Sequence, residues 1–379
     1  MKTTRSLLVL FVALAACSKA GAGDNGAPPA AESASTAESA VDATLAGHVK
    51  AHVDKCTVNV EQGQAFSCKD GVVDALSKHV RESKPAAFAS TMIALVRKKD
   101  DAKTSAVAVA LLAEQFDNLG DEGKRKNATK EAVTSALAAL KDESGNRATR
   151  MAGPIAQLAT IAAMFDPLYA VADAHPTKEA RDNVYRHLLV FGRTKGLPKL
   201  KEVAEKTPAH ASAALDAVPR MSNATDEERS AACPWAEGYL KSADLGVAAK
   251  AAEAMVFCKG KHIDALLAEA ETRLAKKEYK NPFAMVLREP CAQLVAGVTK
   301  RAADDAQCEG VYTFLEKVVN DAGADDATRS AALFNIYYQR RDEKTLKLMR
   351  KYENHPNKEI QKRAKEAIAS LTTTYKLKG

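Results

Sequence analysis

From Asp42 to the end of the chain, apolar residues recur at steps of three and four, as in Val133, Leu137 and Leu140 or Ile263, Leu266, Leu267 and Leu274. That period puts them on one face of a helix, whereas a half-buried strand alternates every second residue. The pattern is broken by short Gly-, Pro- or Asp-rich stretches at Gly120–Gly123, Ser144-Gly145, Asp166-Pro167, His175-Pro176, Gly196, Asn281-Pro282, Gly323 and His355-Pro356. Short breaks between helices force antiparallel neighbours. The sequence therefore predicts an all-α fold, an α-solenoid of stacked antiparallel helix pairs over residues 42–379, with a subdivision near 220 left open. The expected helices run 42–55, 70–82, 85–98, 103–117, 128–140, 148–164, 178–191, 197–206, 208–219, 226–241, 243–257, 260–277, 282–301, 308–321, 325–340, 342–353 and 357–373. Pro234 and Pro290 fall inside periodic stretches and should kink or split them. Composition agrees: the chain is 46% hydrophobic but only 5% aromatic, and alanine-rich, aromatic-poor sequences suit closely packed helices better than sheets.

Several helices open alike. Asp325-Asp326-Ala327-Thr328-Arg329-Ser330-Ala331-Ala332-Leu333 matches Thr225-Asp226-Glu227-Glu228-Arg229-Ser230-Ala231-Ala232, and His175-Pro176-Thr177-Lys178-Glu179 matches His355-Pro356-Asn357-Lys358-Glu359. The polar residue caps the helix start, and the small residues let helices approach closely. This spelling resembles the HEAT-repeat family, and Arg181, Arg229, Arg329 and Arg363 stand where that family's basic residue would. The resemblance implies repeats that cannot bury an apolar face alone and must stack. Their spacing here is irregular.

Ahead of the helices, Lys2 and Arg5 precede an apolar run from Leu7 to Ala16, too short to span a bilayer. Residues 1–16 are expected to be a signal peptide. The run ends in Leu14-Ala15-Ala16-Cys17, which resembles the lipobox of bacterial lipoproteins. That resemblance implies cleavage before Cys17, acylation of its thiol and of the new amine, and a membrane partner held through the acyl chains. Ser18 in the next position leans towards the outer membrane, facing the periplasm or displayed at the surface. Residues 17–41 are Ala, Ser, Gly and Pro without an apolar period and read as a disordered tether.

Of seven cysteines, Cys17 is assigned to the anchor, leaving Cys56, Cys68, Cys233, Cys258, Cys291 and Cys308. An even set in an exported chain reads as disulfides, and six cysteines allow fifteen connectivities. Nearest-neighbour pairing closes the shortest loops; Cys258 with Cys308 is the alternative. The segment 57–67, with Val58-Asn59-Val60 and Gln62-Gly63, looks like a small stapled excursion between helices.

No sequence motif signals catalysis. There is no Gly-x-Ser-x-Gly, no His-Glu-x-x-His and no phosphate-binding loop, and no CxxC pair suggests zinc, redox or haem chemistry. His48, His52 and Cys56 would share a helix face as metal ligands, but Cys68 offers Cys56 a disulfide partner instead, so no metal, cofactor or catalytic residue is assigned. His175 and His355, before prolines, read as helix-end residues. Charge is concentrated late: residues 340–379 hold twelve Lys or Arg against five Asp or Glu. With the aromatics nearby, this nominates Tyr337, Tyr338, Arg340 and Arg341 as a contact surface for a protein or an anionic envelope polymer. Nucleic acid is disfavoured by the expected compartment. The expected function is a lipid-anchored envelope scaffold without catalysis; the alternative is an envelope enzyme acting on cell-wall or polysaccharide material.

Overall fold

The structure is a computed structural model, and it describes residues 41–378 apart from 62, 70, 223, 256–257, 259, 279–290 and 292–304. The expected signal peptide, Cys17, nearly all of the expected tether, Pro290 and most of the helix expected over 282–301 lie outside the described residues. None of the helices described is long and apolar enough to cross a membrane.

Helix α1 (Ala43–Lys55) starts where the Asp42 carboxylate accepts from the Leu45 amide at 3.0 Å. It runs directly into the hairpin β1 (Cys56–Asn59) and β2 (Gln64–Cys68), antiparallel, with Cys56 opposite Cys68. Among the described residues the fold is thus helical with one two-stranded insertion. The hairpin tip requires glycine: Gly63 has φ +57°, and a Cβ there would stand 2.8 Å from Val109 Cγ1. Val109 belongs to α4 (Ala102–Gln115), which follows α2 (Val72–Ser83) and α3 (Phe88–Val96).

The middle of the chain is α5 (Gly120–Asn127), α6 (Lys130–Asp142), α7 (Gly145–Ile161), α8 (Phe165–Ala174), α9 (Lys178–Gly192), α10 (Leu197–Lys206) and α11 (Ala211–Asp216). Next come α12 (Asp226–Ser230), α13 (Cys233–Glu237), α14 (Leu245–Ala254) and α15 (Lys261–Ala275). The chain closes with α16 (Asp305–Asn320), α17 (Asp326–Gln339), α18 (Glu343–Tyr352) and α19 (Lys358–Thr373).

Each helix packs mainly against helices near it in sequence. Helices α1, α3 and α7 lie on α4; α9 lies on α7, α11 on α9 and α14 on α11, so packing runs on across the segment near 220. Beyond it α15 meets α13, α16 meets α15, α17 meets α16, and α19 meets both α17 and α18. The apolar core is continuous from Leu45 to Leu371. At the α7–α9 contact the small Gly153 leaves room for the His187 ring, whose Cε1 would be 3.0 Å from an added Cβ.

The observed boundaries differ from the expected ones in instructive places. Gly120–Gly123 and Asp166-Pro167, read as breaks, are the first turns of α5 and α8. Proline is tolerated in a first turn, where its missing N–H would have had no helical partner. The helix expected over 208–219 is divided into two short 3₁₀ turns flanking α11. Pro234 splits its helix as expected, opening α13, whereas Pro154 sits inside α7 and the helix continues through it. Three disulfides join neighbours in sequence: Cys56–Cys68, Cys233–Cys258 and Cys291–Cys308.

Candidate functional site

The C-terminal surface is built by α18 and α19. In α18 the buried residues are Thr345, Leu346, Leu348, Met349 and Tyr352, a helical stripe. Lys344, Lys347, Arg350 and Lys351 occupy the exposed face. Helix α19 buries Ile360, Ala364, Ala367 and Leu371 and exposes Lys358, Lys362, Arg363 and Lys365. Acids temper this face at its edges: Arg363 meets Glu366 at 3.1 Å, Lys344 lies 3.6 Å from Glu309 and Lys351 lies 3.9 Å from Glu316. Pairs this exposed contribute little to stability and leave the lysines available to a stronger anion.

The four residues nominated from sequence lie together at the end of α17 and just beyond, but they are employed within the molecule. Tyr337 donates its hydroxyl to Ser370 Oγ at 2.7 Å, tying α17 to α19. Arg340 donates Nε to Thr345 Oγ1 at 2.9 Å, lies 4.3 Å from the Tyr312 ring centroid, and keeps a side chain only 14% exposed. Arg341 donates to the Tyr375 hydroxyl and stacks between the rings of Tyr338 and Tyr375, at 5.6 and 5.0 Å. These contacts join four helices, α16 to α19, and the C-terminal tail. They make the group a structural corner beneath the lysine face.

Two of the four arginines at helix starts reach back along the chain. Arg329 donates Nε to the Val319 carbonyl at 2.8 Å, and Arg229 reaches the Met221 carbonyl at 3.4 Å. Each thereby satisfies a carbonyl of the chain preceding its own helix, one of the acceptors a helix end or turn leaves open. Arg273, which sequence reasoning passed over, does the same from within α15: buried, it donates to the carbonyls of Leu240 at 2.6 Å and Ser242 at 3.1 Å. The histidines before proline are turn devices. His175 Nδ1 accepts from the Thr177 amide and His355 Nδ1 accepts from the Asn357 amide, each at 3.1 Å.

A second candidate lies between α13 and α15. A cleft of about 620 Å³ is lined by Pro234, Glu237, Lys241, Lys261, His262 and Glu269, among others. At its rim Glu237 Oε2 stands 2.5 Å from His262 Nδ1. A carboxylate that orients an imidazole in this way leaves Nε2 able to exchange a proton with a bound molecule. The lining also carries the Thr272 hydroxyl, which donates to the Ala268 carbonyl at 2.9 Å, and the amines of Lys241 and Lys261. No sequence signal marks this pair, because the two residues are brought together only by the packing of α13 against α15.

A third group gathers at the end of α1. His52, buried, shares a small volume with Cys56 and Cys68, while His48 turns to the surface and packs its ring 5.2 Å from that of His79. Burial pushes the His52 imidazole below its ordinary pKa, and so does burial at His48 and His187. No protein-family model matches the chain, and no curated protein proves similar to it.

Proposed function

We propose that the chain is a non-enzymatic binding scaffold of the bacterial cell envelope. In this reading it is tethered through acyl chains on Cys17 to the outer membrane, and its helix pairs stack as an α-solenoid of the HEAT kind. The packing of each helix on near neighbours in sequence, and the arginines that reach back to preceding carbonyls, support the stacked-pair arrangement. The single observation that carries the binding role is the face of α18 and α19, where eight exposed Lys or Arg outnumber three exposed acids. Such a face attracts a polyanion or an acidic protein surface and does so more strongly at low salt. The partner is a protein or anionic polymer of the envelope.

The test has two arms. Mass spectrometry of the membrane-extracted protein should find Cys17 as the acylated N-terminus; an intact leader or an unmodified Cys17 in the soluble fraction rejects the anchor. Crosslinking in intact envelopes should recover a partner through α18 and α19, and that recovery should fall at least tenfold in the combined variant Lys347→Glu, Lys351→Glu, Lys362→Glu and Lys365→Glu. Undiminished recovery rejects the contact face.

The Glu237–His262 pair at the cleft favours one second reading, an envelope enzyme acting on polysaccharide. Turnover of cell-wall fragments that disappears in Glu237→Gln would establish it in place of the scaffold.

A further inference from the structure

The end of α1 and the hairpin after it bring three metal-ligating side chains together. One nitrogen of His52 and the two sulfurs of Cys56 and Cys68 lie within 4.8 Å of one another. His52 is 1% exposed. Its Nδ1 lies 2.7 Å from the carbonyl oxygen of His48. A carbonyl can only accept, so Nδ1 carries the ring proton and Nε2 carries the lone pair. That Nε2 is buried and has no hydrogen-bond partner. A buried acceptor left unmet is destabilising, so the position requires an explanation beyond packing. A ring whose Nδ1–H is held by a backbone carbonyl while Nε2 stands open is oriented as metal-ligating histidines are.

We infer that opening the Cys56–Cys68 disulfide converts this end of α1 into a site for a thiophilic d¹⁰ cation such as zinc, held by His52 Nε2, Cys56 Sγ and Cys68 Sγ with water as the fourth ligand. Zinc binds sulfur at about 2.3 Å and imidazole nitrogen at about 2.0 Å, so ligands of one tetrahedral ion stand roughly 3.3–3.8 Å apart. The three atoms need only small side-chain movements to meet that spacing. The hairpin holds the two cysteines opposite each other independently of the disulfide, through its register and through the Lys69 amide, which donates to the Lys55 carbonyl at 3.2 Å. The thiols therefore stay adjacent when the bond is opened.

The chemistry balances with a dithiol as reductant. One of its thiolates attacks Sγ of Cys68, the less buried of the two residues, Cys56 being 7% exposed. The sulfur–sulfur bond breaks with its electron pair on Cys56 Sγ, which takes up a proton. The reductant's second thiolate then attacks its own sulfur in the mixed disulfide, releasing Cys68 as thiolate and leaving the reductant as a disulfide. Zinc binds the two cysteines as thiolates, so their remaining protons pass to solvent. His48, which shares its helix face with His52, stays outside the site against His79. The inference is independent of the partner-binding role.

The experiment compares oxidised and dithiol-reduced full-length mature protein, each titrated with zinc and with cobalt(II) as a spectroscopic stand-in. After reduction and removal of the dithiol, one equivalent of zinc should slow iodoacetamide alkylation of Cys56 and Cys68 at least tenfold relative to Cys233, as read by peptide mass spectrometry. Cobalt should add a thiolate charge-transfer band in the near ultraviolet. The oxidised protein should bind neither ion there. His52→Ala should lose the shielding, and His52→Asn, which keeps a polar group in the same space, guards against loss of fold when its circular dichroism matches the parent. Equal alkylation with and without zinc, or shielding that survives in a folded His52 variant, overturns the site.

Discussion

Helices α4 and α18 show how much a helix's surroundings write into its sequence. In α4 every residue from Ser105 to Leu112 is buried, because α1, α3, α7 and the hairpin surround it. In α18 burial returns only every three or four residues, and lysine or arginine fills the gaps. The first helix is support, hydrophobic all round; the second is amphipathic and presents charge to a solvent or partner. The same difference separates the two kinds of polar residue. Ser105, inside, donates its hydroxyl to the Val96 carbonyl at 2.6 Å, and Arg147 donates to Ser105 Oγ at 2.7 Å. Lysines on α18 make at most loose contacts with acids on α16. A buried polar group must be satisfied, whereas an exposed one is satisfied by water.

If that contrast is correct, substitutions should rank by region. The largest loss should come from Ile155→Ala in α7, which is fully buried, at about 2–5 kcal/mol from the urea unfolding midpoint. Removing the Cys56–Cys68 disulfide as a double Ser variant should cost about 3 kcal/mol, because its sequence separation of 12 closes a short loop in the unfolded chain. Breaking the C-terminal corner with Tyr337→Phe should cost about 1 kcal/mol, the hydroxyl bond to Ser370 being half-buried. Lys347→Glu should change stability by less than about 0.5 kcal/mol while weakening binding to an anionic partner. A large stability change there would dissolve the contrast between supporting and presenting helices.

Acid sharpens the comparison further. His187, packed on Gly153 between α7 and α9, has its pKa lowered chiefly by burial, against a backbone hydrogen bond to Asn183 that favours the cation. The folded state therefore takes up the proton less readily than the unfolded chain, which titrates near the ordinary value of 6.5. Its contribution is complete above that value and declines as pH falls through 6.5 towards the depressed folded value. Urea midpoints measured at pH 7.5 and at pH 5.5 should show this decline, and His187→Gln should reduce it while leaving the share of His48 and His52.

Much of the fold could be read locally. Caps foreseen at helix starts are present where Asp325 accepts from the Thr328 amide at 2.9 Å and Asn357 accepts from the Ile360 amide at 3.0 Å. The paired His-Pro openings carry the same ring-to-amide hydrogen bond at both places. Local rules misled where a break signal has two meanings: Asp166-Pro167, read as a break, lies in the first turn of α8, after α7 has ended at Ile161. At Tyr337, Tyr338, Arg340 and Arg341 aromatic and basic residues together read as a recognition surface, and the sequence does not show what they contact within the molecule. In the folded chain those groups stack on one another and on Tyr312 and Tyr375.

By itself the sequence determined helicity, most helix ends and the lysine stripe of α18, because each depends on residues one to four positions apart, and chain geometry sets those distances. Tertiary structure alone decided that His52 faces Cys68 as well as Cys56, that His48 faces His79, and that Glu237 meets His262. Each of these contacts closes a loop of the chain. Which loops close depends on how whole helices pack, a sum over many small contacts that no short stretch of sequence contains.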